Sequence, residues 1–239
     1  MFQSIDSKIA EIYNQRFLKL GPSPEASMWF SKKRQFTRFD IIFNEIKLLT
    51  KRNESSIIDI GCGYGAFFEF LSERGADDIW SYYGYDVSNE VIKFCKEQYS
   101  QGAVFFNGSV PTFRAEFIIM SGTYNFFPFN DYNSWRLYFY RSLKTLWSKT
   151  TCAMIFNLQT SDQEKITDGG IVYNSKEEIE NFCITWCKRH PVYKPLGPNC
   201  QTFVEDLHIF LCGKNLEFHQ VGNLKRGPEA SPNVTWINK

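Results

Sequence analysis

Two helical patterns open the chain. Ile5, Ile9, Ile12 and Leu20 recur near one face of a first helix, and Gly21-Pro22-Ser23-Pro24 breaks it. Phe36, Phe39, Ile42, Phe43 and Ile46 stand at helical spacing in a second helix, with Lys47 to Arg52 near its C-terminal end, where cations suit the dipole. After these helices the period changes. Short apolar runs at Ser56–Ile60, Ile79–Tyr85, Ala103–Phe106, Glu116–Met120 and Thr151–Leu158 predict strands, and Ala66–Arg74, Asn89–Tyr99 and Tyr132–Lys149 predict helices between them. Buried strands alternating with helices imply a parallel sheet with right-handed crossovers. The stretch Val110 to Ala115, carrying Pro111, is too short for a helix, so one crossover is degenerate.

The last third predicts one more helix, Lys176–Lys188, capped in the Asn174-Ser175 region with Glu177, Glu178 and Glu180 in its first turn. A Pro-rich strand at Val192–Leu196 and a final strand at Glu205–Cys212 follow with no helix between them, which predicts an antiparallel hairpin. Gly222 to Lys239 has little periodicity and reads as a tail or surface arm. The expected division is a helical cap over 1–50, an α/β core over 51–215 and a tail over 216–239, with no internal repeat.

Composition narrows the class. The chain has 239 residues, 43% hydrophobic and 22% charged, an ordinary globular balance. Formal net charge is +1, so no global field draws the protein to nucleic acid or to an acidic membrane. Lys32-Lys33-Arg34 and Lys188-Arg189 read as solvated helix faces. No start typical of a signal peptide and no run of about 18 apolar residues is visible, and the seven cysteines are scattered and odd in number. The expectation is a cytoplasmic protein with reduced thiols, a monomer or homodimer without nucleic-acid or membrane partners.

The chemistry concentrates at Asp59-Ile60-Gly61-Cys62-Gly63-Tyr64-Gly65, between the first predicted strand and its helix. Glycines at 61, 63 and 65 permit positive φ and close backbone approach to a ligand, and a helix start presents N–H groups to an anion. Gly61-x-Gly63-x-x-Ala66 also satisfies the relaxed dinucleotide fingerprint. Asp59 argues against that cofactor, because a carboxylate there would face the pyrophosphate. An ammonium and a sulfonium suit it. Asp86, within Tyr85-Asp86-Val87-Ser88, stands where a carboxylate accepts both ribose hydroxyls of either nucleoside.

From about Ser55 to Gly213 the chain resembles class I S-adenosylmethionine-dependent methyltransferases, of the bacterial small-molecule type. The glycine loop looks like their first motif, Asp86 falls at their ribose-binding acid, and the terminal hairpin matches their sixth and seventh strands. The resemblance implies a Rossmann-like α/β fold: a seven-stranded, mostly parallel sheet with an antiparallel last strand, helices on both faces and an N-terminal helical cap. It implies S-adenosylmethionine as cofactor, held at Asp59, Gly61, Cys62, Gly63, Gly65, Asp86, Val87, Ser121 and Gly122. The acid such enzymes usually place after the third strand is replaced by Phe106-Asn107-Gly108-Ser109, so Ser109 or a neighbouring backbone group takes the adenine. By the same resemblance Arg38 or Gln35 reaches the methionine carboxylate; read alone, Arg38 is a surface arginine on an amphipathic helix.

The implied acceptor is a small polar molecule, for example a sugar, methylated at O or N by in-line transfer. Trp29, Tyr124 and Asn125 are its candidate contacts, the last two from Ser121-Gly122-Thr123-Tyr124-Asn125-Phe126, which otherwise reads as a turn. The Asn-Pro-Pro-Tyr-type motif of nucleic-acid adenine methylation is absent. Candidate bases are His190, Tyr124 and Tyr13, while His208 and His219 read as structural or exposed. Cys183, Cys187, His190 and Cys200 do not form a standard zinc pattern, so no metal is expected. Two alternatives stay open: a nicotinamide-dependent oxidoreductase and a non-catalytic binding protein of the same fold.

Overall fold

A computed structural model describes residues 2–50, 55–76, 80–161, 163–187, 192–195 and 205–212. His190, Cys200, His219 and the predicted tail over 216–239 lie outside the described residues. The chain divides into two compact units, Met1–Thr123 and Tyr124–Lys239.

The first unit begins with α1 (Phe2–Leu20) and α2 (Lys32–Leu49) and continues as β1 (Ser55–Ile60), α3 (Ala66–Ser72), β2 (Trp80–Asp86), α4 (Asn89–Gln98), β3 (Ala103–Asn107) and β4 (Ala115–Met120). The four strands are parallel in the order β3-β2-β1-β4. β3 passes to β4 with no helix between them, as the short Pro111 stretch implies. Ser31 caps α2 and Ser88 caps α4, each accepting an N–H three residues on. Phenylalanine builds much of the packing. Phe39 and Phe36 of α2 meet Phe67 and Phe70 of α3 at ring-centroid distances of 5.0 and 5.3 Å. Tyr82 and Phe105 on the sheet close the layer beneath α3. The aromatic surplus is thus spent largely in the core.

The second unit holds α5 (Tyr132–Lys149), β5 (Thr150–Thr160), β6 (Lys165–Ile166), β7 (Val172–Asn174), α6 (Lys176–Phe182), β8 (Val192–Pro195) and β9 (Glu205–Cys212). β9 pairs antiparallel with both β5 and β8, which is the predicted terminal hairpin. Ser175 caps α6 as the pattern implies. The helix predicted to run to Lys188 instead turns π-helical at Cys183–Cys187, where β-branched Ile184 and Thr185 propagate an α-helix weakly. β6 and β7 are short strands additional to the seven predicted; β7 pairs parallel with β5 and antiparallel with β6. Parallel strands joined through helices, an antiparallel last strand and N-terminal helices make this a Rossmann-like α/β fold.

Candidate functional site

β1 ends at Ile60 and the chain turns at once through Gly61, Gly63 and Gly65, with φ of 75°, 55° and 82°. All three lie in the left-handed region that favours glycine. The need for glycine is also steric, and it comes from protein side chains. A Cβ on Gly61 would stand 2.7 Å from Thr123 Cγ2, one on Gly63 3.0 Å from Ser27 Oγ, and one on Gly65 2.5 Å from the Tyr99 ring. The Gly61 and Cys62 N–H groups donate to Tyr85 O at 2.7 and 3.0 Å, tying the loop to the end of β2.

Two carboxyls flank this loop. Asp86, closing β2, accepts the Gly63 N–H at 3.0 Å on one oxygen and the Ser88 N–H at 2.9 Å on the other. Burial pushes its pKa up, against the backbone donors that pull it down. Asp59 is 3% exposed and accepts the Tyr82 phenol at 2.7 Å. Burial pushes it up to about 7 despite that hydrogen bond, and the charge of Asp86 adds to the rise.

The N-terminal segment lies against the same loop. On α1, Asp6 accepts the Ser109 hydroxyl at 2.8 Å, Asn14 accepts the Ser88 hydroxyl at 2.6 Å, and Phe17 packs on Phe94 of α4. Tyr13 lies near the Asp86 charge and donates to Met28 Sδ at 3.6 Å. Burial and that charge raise its phenol, which stays protonated at neutral pH. The connector between α1 and α2 is clasped by Arg16, which donates to the Glu25 and Ala26 carbonyls. It lays Ser27 against Gly63 and Trp29 against Gly122, whose Cβ would stand 2.9 Å from the indole. Arg38 stacks on the other side of this arrangement, 4.6 Å from the Trp29 ring centroid, and burial lowers its pKa to about 10. Gln35 is 4% exposed and accepts the Tyr64 hydroxyl at 2.9 Å.

One unit therefore brings together Tyr13, Trp29, Gln35, Arg38, Asp59, the glycine loop, Asp86, Val87, Ser109, Ser121 and Gly122. Ser121 Oγ, just beyond β4, is buried with no hydrogen-bond partner. Cys62 fills the space left by Gly84, and its thiol and that of Cys95 both donate to Gly63 O, at 3.6 and 3.3 Å. Tyr124 and Asn125 belong to the second unit. The Tyr124 ring is buried against Tyr138 and Phe139, and Asn125 Oδ1 accepts the Gln159 N–H at 3.1 Å. Among the described residues no group of three His, Cys, Asp or Glu is placed to hold a metal ion. Ser27 and Thr123 border the loop, Tyr82 holds Asp59, and Asp6 and Asn14 hold Ser109 and Ser88, without any pattern in the sequence that singles them out.

A family model described as a methyltransferase domain matches residues 58–137, which span the loop, both acids and the end of β4. No curated protein matches the chain. Among solved structures, the fold is similar to that of an S-adenosylmethionine-dependent methyltransferase from Leishmania major, with TM-score 0.66, 11% identity and coverage of 86% of this chain and 82% of that one. It is similar to magnesium protoporphyrin IX methyltransferase from Synechocystis with bound S-adenosylhomocysteine, with TM-score 0.53, 12% identity and coverage of 77% and 83%. It is also similar to DhpI in complex with S-adenosylhomocysteine, with TM-score 0.53, 12% identity and coverage of 88% and 95%. At these identities the likeness is one of fold.

Proposed function

We propose that the chain is a class I S-adenosylmethionine-dependent methyltransferase, which its matched domain and its fold support, and that it methylates an oxygen or nitrogen atom of a small polar molecule. The observation that carries this reading is the N-terminal segment folded onto the glycine loop, with Ser27 at Gly63 and Trp29 at Gly122. A covered loop suits an acceptor small enough to be enclosed, and a net charge of +1 supplies no field for a nucleic acid. Among the described residues no helix is long and apolar enough to cross a membrane.

The residues present fit the cofactor. A ribose diol needs a desolvated carboxylate, and Asp86 stands at the end of β2 with its two oxygens oriented by the Gly63 and Ser88 N–H groups. An ammonium needs a buried anion, which Asp59 supplies. The unpartnered Ser121 hydroxyl offers a further donor or acceptor at the end of β4. When bound, S-adenosylmethionine supplies an electrophilic sulfonium methyl group. The chain's part is to hold and enclose. Asp86 takes the ribose, while Val87 and Ser109 border the base, with Asp6 on α1 orienting the Ser109 hydroxyl. Arg38, steadied on Trp29, and Gln35 face the amino-acid end; Asp59 supplies charge below the loop. Excluding water around Trp29 and holding the acceptor in line account for rate without a triad, since an amine acceptor needs only to be neutral.

The test is transfer of isotope-labelled methyl from S-adenosylmethionine into a whole-cell extract, which is then fractionated into small molecules, protein and nucleic acid and read by mass spectrometry. Label in a small polar product is the expected result. Label confined to protein or nucleic acid overturns the acceptor class. Asp86→Ala is expected to abolish both the transfer and S-adenosylhomocysteine binding.

A further inference from the structure

β1 and β2 run in register, so that Asp59 lies beside Gly84 and Ile57 beside Tyr82. Position 84 has no room for a side chain: a Cβ there would stand 2.6 Å from Phe105 and 3.0 Å from Cys62 Sγ. With glycine at 84, the phenol of Tyr82, two residues back on the same strand face, extends diagonally to Asp59 Oδ2 at 2.7 Å. Both residues are buried, Asp59 at 3% exposure and Tyr82 at 1%. The phenol ring is held by Phe68 and Phe105, with centroids 5.3 and 5.9 Å away, and by Phe67 at 6.5 Å. This hydroxyl is therefore aimed by packing.

The surroundings of Asp59 are otherwise poor in polar support. Asp86 faces it from the end of β2. The thiol of Cys62 approaches from the glycine loop, that of Cys95 on α4 lies near Cys62 and the Tyr82 phenol, and β4 places Ile119 alongside. Among the described residues no cation pairs with Asp59, and Tyr82 is its one hydrogen-bond donor. Burial and the Asp86 charge both disfavour an ionised Asp59, while the Tyr82 hydrogen bond favours it. A hydroxyl in a strand core that serves only packing would be dispensable; this one opposes the two forces that neutralise the loop's counter-charge.

We propose that Tyr82 is a positioning residue for cofactor recognition, holding Asp59 ionised beneath the glycine loop so that its charge attracts the ammonium group of the bound cofactor. This rests on the cofactor reading above. It makes cofactor affinity rise with pH through the neutral range, and it makes Tyr82 set where that rise falls.

Calorimetric titration with S-adenosylhomocysteine across the neutral range tests it, using wild type, Tyr82→Phe, Asp59→Asn and the double variant. Tyr82→Phe keeps the ring and its packing. Its affinity rise is expected to move to higher pH, with a loss of up to about tenfold at neutral pH for each pKa unit of movement. Asp59→Asn is expected to bind weakly with no rise, and adding Tyr82→Phe is expected to change nothing further. Infrared spectra of the ligand-free chain give a second readout, because the protonated-carboxyl band lost in Asp59→Asn should persist to higher pH in Tyr82→Phe. A binding rise and an infrared band both unmoved by Tyr82→Phe, with wild-type binding intact, overturn this proposal alone. Absence of wild-type binding at every pH overturns the cofactor reading and the proposal with it.

Discussion

Asn14 on α1 accepts the hydroxyl of Ser88, the N-cap of α4, at 2.6 Å, across 74 residues of chain. The same Ser88 oxygen accepts the Val91 N–H at 3.3 Å, so one hydroxyl both starts a helix and anchors the segment lying over it. Asn14 Oδ1 also accepts the Glu90 N–H in the first turn of α4 at 3.4 Å, so Asn14→Ala removes the anchor and this long bond but leaves the Ser88–Val91 cap. A lost hydrogen bond of this kind costs about 1 kcal/mol. Amide exchange in α1 is expected to quicken by roughly fivefold while α4 keeps its protection. Equal loss in both helices would show that Asn14 supports the cap and not the attachment of α1.

Gly63 and Ser27 form a second point of closure. Alanine at 63 would need a left-handed backbone, at a cost of about 1–2 kcal/mol, and would press its Cβ against Ser27 Oγ at 3.0 Å. Gly63→Ala is expected to lower the melting temperature and abolish S-adenosylhomocysteine binding. Adding Ser27→Gly relieves the steric part alone, so the double variant should regain part of the stability. Full recovery would mean that the backbone at 63 is not strained by a side chain.

Much of the frame was legible because it depends on local pattern. Apolar runs and helical spacing mark β1, β5 and α5 to within a residue or two at their ends, and Asp59, Gly61, Gly63, Gly65 and Asp86 are marked by motif spacing. β6 and β7, of 2 and 3 residues, are too short to show alternation. The contacts that fold α1 over the loop were not legible, since Asp6–Ser109 joins polar residues 103 positions apart and carries no periodic signal. Tyr82 reads as one more core aromatic, and only the parallel register shows that its hydroxyl meets Asp59. The glycine spacing signals room for a ligand, and it carries no sign that Thr123, Ser27 and Tyr99 also require their bareness.

Asp59 carries a pH dependence of folding with a definite sign. Its carboxyl titrates near 3.8 unfolded and at about 7 in the folded chain. Below about pH 4 both states hold the proton. Between the two values only the folded state holds it, so this group's stabilising effect is lost as pH rises through about 7. Asp86 is displaced in the same direction. Melting curves of the ligand-free chain are expected to fall across this window, and Asp59→Asn should flatten the fall. A steeper fall in Asp59→Asn would contradict a buried Asp59 that keeps its proton up to about pH 7 and ionises above it.

Arg38 and Trp29 bear on the amino-acid end of the cofactor. The guanidinium lies 4.6 Å from the indole centroid, and burial and the neighbouring Arg34 lower its pKa to about 10, which still leaves it fully charged at neutral pH. Arg38→Lys keeps a cation but loses the planar stack and the paired donors. A lysine starts from a lower pKa than an arginine, and the same burial lowers it further, toward the neutral range. The variant is therefore expected to bind S-adenosylhomocysteine more weakly than wild type at neutral pH, and to weaken further as pH rises above neutral, while wild type does not. A parallel pH response in the two proteins would place Arg38 outside carboxylate recognition. Trp29→Ala separates the contributions, since it removes the platform without touching the charge, and should weaken binding with no new alkaline loss.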